Sequence, residues 1–350
     1  MERILKIARE QKKLLVKDVA QALKIDQALV SKFESGTRRP TKEQVYKLAE
    51  ILDLDANKLM AQWLKDRIIK EIGYGEIAIE ALQLAEEEVK YISKSAKREL
   101  PKSLKKILAD IDKLKSEVDK FRQFDSYRIA QALELEYTYE SNRIEGNTLT
   151  LKETDLVVNE GLTISGKSMR EHLEAINHNE AVDYIKELIK KNVLISEREL
   201  LSIHQLILKS IDPENAGKYR NVQVMIKGSK HSPPQAFLVP KQMEDFFIWY
   251  NENKTLLHPV VLAAEVHERV VTIHPFIDGN GRTSRLLMNM ILLKHGYVIA
   301  NIKGDVESRM AYYNALEKAQ TTLDKSDFFE LVATEEYKAL ERYLKIVKGN

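Results

Sequence analysis

Twelve residues, HPFIDGNGRTSR from His274 to Arg285, contain the groups that acid–base chemistry and phosphate binding require. Pro275 disfavours the α conformation for the residue before it, so we expect His274 to end the apolar helix that runs up to Ile273. Within this segment His274 is the only side chain that accepts a proton near neutral pH, which makes it the candidate general base. The sequence therefore predicts proton transfer at the end of a helix.

The glycines of the same segment predict an anion site beside that histidine. Gly279 and Gly281 flank Asn280 and permit positive φ angles, so that successive backbone N–H groups can turn toward one point. We expect the next helix to span 283–294, with its positive N-terminal end facing the same point. A concave site of this kind suits a polyphosphate.

Three charged side chains complete the predicted site. Arg282 and Arg285 lie three residues apart at the start of the predicted helix, where planar guanidinium groups can hold phosphate oxygens. Asp278 is a hard oxygen ligand next to them and suits Mg²⁺ that is held jointly with phosphates. The alternative is a helix–loop–helix with a glycine turn and incidental charges, but the full constellation favours the phosphate site.

The segment resembles the signature of the Fic family, HPFx(D/E)GNGRxxR, and matches it at every specified position. The resemblance implies an α-helical domain that moves AMP from the co-substrate ATP, with Mg²⁺ as cofactor, to a tyrosine, threonine or serine hydroxyl of a target protein. Pyrophosphate is the expected leaving group. Transfer of UMP, removal of AMP and transfer of another phosphate-linked group stay open, because the motif contacts the polyphosphate and not the base.

The composition predicts a globular protein and excludes several kinds of site. The chain has 350 residues, of which 31% are charged and 44% hydrophobic, so we expect two or three domains. A net charge of +2 is too small to indicate nucleic-acid binding by itself. Cysteine is absent, which excludes disulfides and thiolate metal sites, and no apolar run is long enough to span a membrane. We expect a cytoplasmic protein with no membrane partner.

The first sixty residues predict a DNA-binding domain. Short amphipathic helices are expected at 4–10 and 16–25, and Asp26 caps a third that begins near Gln27. A fourth helix follows the turn SGTRRP. Two short helices joined by a tight turn fit helix-turn-helix geometry, and residues 1–60 resemble the Cro and phage-repressor family. A small helical bundle used for protein contact is the alternative.

In that family the third helix enters the major groove of DNA. The resemblance implies base-facing side chains at Gln27, Ala28, Ser31 and Lys32, and phosphate contacts from Arg38 and Arg39. DNA is therefore an expected partner of this domain.

Residues 61–120 predict a helical linker. The helix expected from 60 to 92 is followed by a polar, basic break at 95–102, where we place the main linker. The next helix has a heptad seam of just under three repeats, made by Leu104, Ile107, Ile111, Leu114, Val118 and Phe121. Two alternatives stay open, because a seam this short is marginal alone: it pairs with its twin in a homodimer, or it docks on the catalytic domain.

A helix expected at 127–139 leads into SNRIEGN, residues 141–147. Within the Fic resemblance this segment matches the inhibitory motif (S/T)xxxE(G/N), with Ser141 at the first position and Glu145 as the acid. Glu145 can form a bidentate pair with Arg285 and so take the arginine that the γ-phosphate of ATP requires. The alternative is an ordinary acid at a helix C-terminus before a glycine.

The segment 217–240 predicts a β-hairpin in an otherwise helical chain. Val222, Val224 and Ile226 alternate with polar residues, and 236–239 can return after a turn at 228–234. The hairpin resembles the Fic flap, whose edge holds an extended target segment by strand addition. A purely structural hairpin is the alternative.

Two further sets of residues carry weaker expectations. The resemblance implies that MAYYNAL, 310–316, approaches the adenine through Tyr313 and Asn314, although tyrosines in a helix are often core residues. The histidines without metal-ligand spacing are expected in solvated or hydrogen-bonded surface roles; they are His172, His178 and His204.

Together these patterns predict a mostly α protein with three parts. They are a helix-turn-helix bundle at 1–60, a helical linker at 61–120, and a Fic domain at 121–350 with a β-hairpin flap and an inhibitory helix at 127–147. The expected function is an autoinhibited protein adenylyltransferase coupled to a DNA-binding domain, with this chain itself among its possible targets. The alternative is a nucleotide-sensing transcriptional regulator in which the Fic domain changes operator affinity.

Overall fold

The computed structural model describes residues 2–95, 100–122 and 127–349. In these ranges the chain forms sixteen α-helices and no β-strand, which confirms the mostly α fold class. It divides into two compact units, Met1–Ala96 and Lys97–Asn350. No helix in the described ranges has an apolar stretch long enough to cross a bilayer.

The first unit contains six helices, of which the first five surround one small core. They are α1 (Glu2–Gln11), α2 (Val16–Leu23), α3 (Gln27–Glu34), α4 (Lys42–Leu52), α5 (Ala56–Ile72) and α6 (Glu76–Ser95). Asp26 caps α3 as expected, because its carboxylate accepts the Ala28 N–H at 2.6 Å. Trp63 of α5 is buried and donates its indole N–H to the Pro40 carbonyl at 3.0 Å, so α5 belongs to this bundle rather than to a separate linker.

The long helix expected from 60 to 92 is interrupted. Gly73 ends α5 with a φ of +72°, a conformation that glycine adopts without steric cost, and α6 begins three residues later. Part of the predicted linker at 95–102, residues 96–99, lies outside the described residues.

The second unit is built around two buried helices. Its elements are α7 (Lys102–Phe121), α8 (Tyr127–Ile144), α9 (Leu151–Glu160), α10 (Met169–Lys190), α11 (Glu197–Leu208), α12 (Val239–Asn253), α13 (Pro259–Ile273), α14 (Asn280–Lys294), α15 (Val306–Thr322) and α16 (Ser326–Lys348). Nearly every side chain of α13 and α14 is buried, and these two helices pack against each other. The loop between them carries HPFIDGNG, so the candidate site is held by two buried helices that pack against each other.

The heptad seam of α7 is used inside this unit. Leu104, Leu108, Ile111 and Val118 are buried in the main core, and α7 packs along α16. The structure therefore supports the docked-helix alternative.

The expected β-hairpin at 217–240 is wrong in its secondary structure. Its two arms are irregular, and 236–238 form a short 3₁₀ turn instead of a returning strand. Pro233 and Pro234 lack the N–H groups that a strand ladder needs, which explains the failure. The arms are still held together, since Gln223 donates its side-chain amide to the Pro233 carbonyl at 3.1 Å.

Candidate active site

His274 ends α13 as predicted and adopts a left-handed conformation, with φ +51° and ψ +59°. Its Nδ1 lies 3.2 Å from the Val271 carbonyl oxygen, which can only accept, so Nδ1 carries the proton and Nε2 is left as the free acceptor. Burial is the main reason that the pKa of His274 falls to about 4. The imidazole is therefore neutral at pH 7 and oriented by its own helix.

The predicted anion site beside His274, residues 278–285, is called the cradle below. The helix that borders it begins three residues earlier than expected. Helix α14 starts at Asn280, and Gly279 precedes it with φ +78°. A Cβ at Gly279 would lie 3.2 Å from Ile207, so both conformation and space favour glycine. The Asn280 side chain accepts the N–H of Phe276 and donates to its carbonyl, both at 2.9 Å. That amide holds the loop, which leaves backbone N–H groups rather than the Asn280 side chain for an anion.

Arg282 is a buried cation with open hydrogen-bonding capacity. Arg282 is 2% exposed. Its Nη1 lies 3.4 Å from Glu174 Oε1, and its Nη2 lies 3.4 Å from Asp278 Oδ1. Its Nε and Nη1 atoms have no hydrogen-bond partner within the described residues. Buried donors of this kind are costly unless an anion satisfies them, so the site fits a polyphosphate.

Asp278 stands at the open edge of the cradle. Its Oδ1 accepts the Gly279 N–H at 2.6 Å, and its Oδ2 lies 2.6 Å from Nη2 of Arg170. Burial acts to raise the pKa of Asp278, but Arg282, the Gly279 N–H and Arg170 together hold it below its usual value. The ionised carboxylate suits Mg²⁺. No group of three or more His, Asp or Glu side chains converges on a metal position in the described part of the chain, so Mg²⁺ fits only with phosphate ligands added.

Glu145 and Ser141 both contact Arg285, which is 1% exposed. Nη2 of Arg285 donates to Glu145 Oε1 at 2.7 Å and to the Ser141 carbonyl at 2.9 Å, and Nε donates to Ser141 Oγ at 3.1 Å. The expected bidentate pair is wrong in detail: Nε is taken by Ser141 and Nη1 faces the Tyr312 hydroxyl at 3.4 Å, so one carboxylate oxygen is bonded. Helix α8 also runs to Ile144, farther than expected.

Gly281 makes room for the Glu145 carboxylate. A Cβ at Gly281 would collide with Glu145 Oε1 and would lie 3.0 Å from Nη1 of Arg285. The glycine therefore serves two purposes, because it exposes backbone N–H groups and lets an acidic side chain enter the cradle. The Glu145 carboxylate, which directly follows α8, thus lies against the position predicted for phosphate.

Arg220 is a site residue that the sequence analysis missed. It is 3% exposed and donates to three carbonyl oxygens, those of His274 at 2.8 Å, Val222 at 3.1 Å and Pro234 at 2.5 Å. Its backbone N–H also donates to Pro275 O at 2.9 Å. One buried guanidinium therefore fixes both arms of segment 217–240 to the residue that carries the candidate base.

The same segment presents the three side chains expected to dock a target. Val222 is 50% exposed, whereas Val224 and Ile226 are half-buried. His231, in the turn, donates its Nε2–H to the Thr272 carbonyl at 2.9 Å, which ties the turn to α13. Target docking by this segment stays a prediction.

The expectation that three histidines have surface roles is wrong. His204 is fully buried, stacks on Phe276 with 3.6 Å between ring centres, and accepts the Gly217 N–H at Nδ1, so its Nε2–H donates to the Asp278 carbonyl at 2.9 Å. His204 therefore stabilises the loop between α13 and α14 through its contacts with Phe276 and Asp278. The other two are also buried and hydrogen-bonded; they are His172 and His178.

The expected adenine-contact residues lie on α15 beside the end of α8. Tyr313 donates its hydroxyl to the Ile144 carbonyl at 3.0 Å, next to Glu145, and Asn314 is exposed. Its neighbour Tyr312 is a buried core residue whose hydroxyl meets His267 Nε2 at 3.0 Å. Contact of Tyr313 and Asn314 with adenine stays a prediction.

In the first unit, the residues expected to face DNA are exposed. On α3 they are Gln27, Ala28, Ser31 and Lys32, and in the following turn they are Arg38 and Arg39. Arg39 also donates to the Asp66 carbonyl at 2.8 Å, which orients its guanidinium. Their contacts with DNA stay predictions.

Two family models match the chain: the Fic/DOC family over residues 194–292 and a helix-turn-helix family over residues 5–59. A protein adenylyltransferase Fic from Nematostella vectensis is 38% identical over 211 residues, which cover 60% of this chain and 48% of that protein. This chain spans about half the length of the curated relatives it matches.

Two solved structures are similar over nearly their full length. A fragment of Fic-1 from C. elegans is 26% identical with a TM-score of 0.63, covering 99% of this chain and 97% of that one. A Fic domain containing signaling protein from Bacteroides thetaiotaomicron is 30% identical with a TM-score of 0.62, covering 69% of this chain and 97% of that one. The chain therefore belongs to the Fic/DOC family and carries a helix-turn-helix domain in its first sixty residues.

Proposed function

We propose that this protein is a cytoplasmic adenylyltransferase that moves AMP from ATP to a tyrosine, threonine or serine hydroxyl of a protein, this chain included. The observation that carries the proposal is the pairing of a neutral, oriented His274 with buried Arg282, whose Nε and Nη1 atoms have no hydrogen-bond partner among the described residues. The relatives named as adenylyltransferases support the same reaction. A base beside a polyphosphate cradle is what nucleotidyl transfer to a hydroxyl requires.

The proposed reaction is one in-line displacement. The target hydroxyl oxygen attacks the α-phosphorus of ATP, the bond from that phosphorus to the bridging oxygen breaks, and pyrophosphate leaves with the electron pair. His274 Nε2 accepts the hydroxyl proton as the new bond forms. The negative charge of the nucleotide raises the pKa of His274 from its low resting value, so the imidazole becomes a stronger base once ATP is bound.

The cradle stabilises the charge of the transferred group. The Gly281 N–H, the N-terminal end of α14 and Arg282 all favour a negative ligand at this point, whereas the Gly279 N–H is already donated to Asp278 Oδ1. Asp278 would hold Mg²⁺ together with phosphate oxygens, and the ion supplies charge neutralisation there. Most of the rate then comes from positioning and electrostatics, as for phosphoryl transfer generally.

We propose that Glu145 restrains this reaction. Arg285 is the arginine available to the γ-phosphate, and the Glu145 carboxylate bonds it at 2.7 Å. ATP then either meets a negative charge where its own terminal phosphate belongs, or binds in a pose that turns the α-phosphate away from the target. Activity requires Glu145 to withdraw.

The N-terminal domain is proposed to bind DNA through the exposed side of α3. The helix-turn-helix family match over residues 5–59 supports this partner. It also favours a second candidate function, a transcriptional regulator in which nucleotide binding to the Fic domain changes operator affinity without modification of another protein.

One pair of measurements separates the two functions. We expect His274→Ala to abolish transfer of label from ATP to protein in the Glu145→Gly background, while DNA affinity of the full chain stays unchanged. A regulator without transferase activity would instead show no label in the Glu145→Gly protein with ATP, UTP or CTP, and ATP would change its affinity for DNA. Label retained after His274→Ala would exclude this residue as the base.

A further inference from the structure

Asp278 has a partner that the proposed reaction does not use. Arg170, in the first turn of α10, places Nη2 2.6 Å from Asp278 Oδ2, although the two residues are 108 positions apart in the chain. The Nε of Arg170 donates to Glu174 Oε1 at 3.2 Å. Arg170 therefore lies between two carboxylates, one at the edge of the cradle and one on its own helix.

The two arginines near Asp278 differ in their freedom to move. Arg282 is buried, whereas the Arg170 side chain is 58% exposed and that of Asp278 is 42% exposed. An exposed ion pair of this kind is weak and open to competition from another cation. The Arg170 guanidinium can therefore move away from Asp278 while it stays in contact with solvent and keeps its hydrogen bond to Glu174.

Glu174 is suited to retain the displaced guanidinium. It is itself held on the other side, because its Oε2 accepts from the Asn147 amide at 3.0 Å and its Oε1 lies 3.4 Å from Nη1 of Arg282. The carboxylate that anchors Arg170 thus stays in place whether or not Asp278 is paired.

We propose that Arg170 is the resident counter-cation of Asp278: it neutralises the carboxylate while no divalent cation is bound and must be displaced when Mg²⁺ enters with ATP. This inference rests on the proposed function, since it assumes that a triphosphate and its metal bind at Asp278. Arg170 is accordingly a residue that sets the metal dependence of nucleotide binding.

Two opposite effects follow from removal of the Arg170 charge. Without a metal, Asp278 keeps only its longer contact with Arg282 and repels the triphosphate, so metal-free nucleotide binds more weakly. With Mg²⁺, the ion no longer competes with a guanidinium, so less Mg²⁺ is needed. Each shift is expected to be about fivefold, the size typical of a favourable exposed ion pair.

The test is calorimetric titration of α,β-methylene-ATP, which cannot undergo the transfer, into the full-length Glu145→Gly protein. Titrations are run in EDTA and over a series of Mg²⁺ concentrations. Arg170→Gln should weaken metal-free binding about fivefold and lower the Mg²⁺ concentration for half-maximal effect about fivefold. Arg170→Lys keeps the charge and should stay near the parent.

The matched control is Lys209→Gln, which removes the lysine that follows α11 and pairs with Glu180 of α10 in another exposed ion pair. It should leave both quantities unchanged. The inference is overturned if Arg170→Gln matches the parent in both conditions, or if it weakens binding equally with and without Mg²⁺. If the parent itself binds no analogue in either condition, the proposed function fails, and this inference fails with it.

Discussion

Replacing Glu145 by glycine tests the proposed restraint, because it removes one charged contact at the cradle. The change deletes the carboxylate that bonds Arg285 at 2.7 Å and leaves the Ser141 contacts of that arginine intact. Arg285 then has a free Nη2 position for a phosphate oxygen. We expect tighter ATP binding and faster transfer.

The size of the effect follows from the geometry of the pair. A hydrogen bond to a charged group contributes about 1.5–3 kcal/mol to stability. The Glu145 side chain is 31% exposed and bonds through one oxygen, so solvent screening places its contribution in the lower half of that range. Breaking a contact of about 2 kcal/mol before phosphate can bind corresponds to about 30-fold in affinity.

The assay is titration calorimetry with α,β-methylene-ATP and Mg²⁺. Glu145→Gly should bind about 30-fold more tightly than the wild type, and Glu145→Gln, which keeps the size but loses the charge, should recover most of this gain. Glu160→Gly is the matched control. Like Glu145, Glu160 lies at a helix end just before a glycine, but it is exposed and lies outside the inhibitory motif at 141–147. Equal affinity in the wild type and both Glu145 variants would refute the restraint.

Three further predictions concern the residues around the cradle. Arg220→Lys cannot reproduce three bonds to carbonyl oxygens, so kcat/KM for a protein target should fall about tenfold while ATP affinity changes little; equal losses in both would contradict a role in holding segment 217–240. Gly281→Ala should lower the Tm of the wild type through its clash with Glu145, and lower it much less in the Glu145→Gly background; the same drop in both would mean that the clash is relieved elsewhere. Burial lowers the pKa values of His204 and His274 to about 4 in the folded state, so the unfolded chain binds more protons than the folded chain between about pH 6.5 and 4. The free energy of unfolding should therefore be highest above pH 6.5 and fall toward pH 4. A urea unfolding midpoint that does not fall over this range would contradict these pKa values.

The helix end that follows from local sequence is confirmed, because Pro275 follows the end of α13 at His274. Gly279 precedes α14 in a left-handed conformation, although that helix begins three residues earlier than expected. The chemistry of these groups depends on neighbours within a few positions in the chain. Local rules are sufficient there.

The supporting residues come from distant segments, which explains why they were missed. Arg220 and His204 contact the loop from 54 and 74 positions away, and nothing in their local patterns distinguishes them from ordinary surface residues. Arg170 reaches Asp278 across 108 positions. A buried arginine without a nearby acidic residue in the sequence is a weak signal, and it becomes informative only once the fold is known.

The incorrect predictions arose where tertiary packing competed with a local pattern. Alternating Val222, Val224 and Ile226 favoured a strand, but Pro233 and Pro234 on the opposite arm prevent a ladder. The α7 seam is a different case, because its pattern left both pairing with a second chain and docking inside the unit open, and α16 of the same unit packs along it. Periodicity shows that a face is apolar and does not show what covers it.

Transfer of label from ATP tests the central proposal most directly. The full-length Glu145→Gly protein is incubated with a cell lysate and with ATP labelled with ³²P at either the α- or the γ-phosphate. The proposed function predicts a protein band that carries the α-label but not the γ-label, that is absent from lysate incubated without the protein, and that disappears when His274→Ala is added. Label in that band from the γ-phosphate alone, or α-label that persists after His274→Ala, would contradict nucleotidyl transfer by this site.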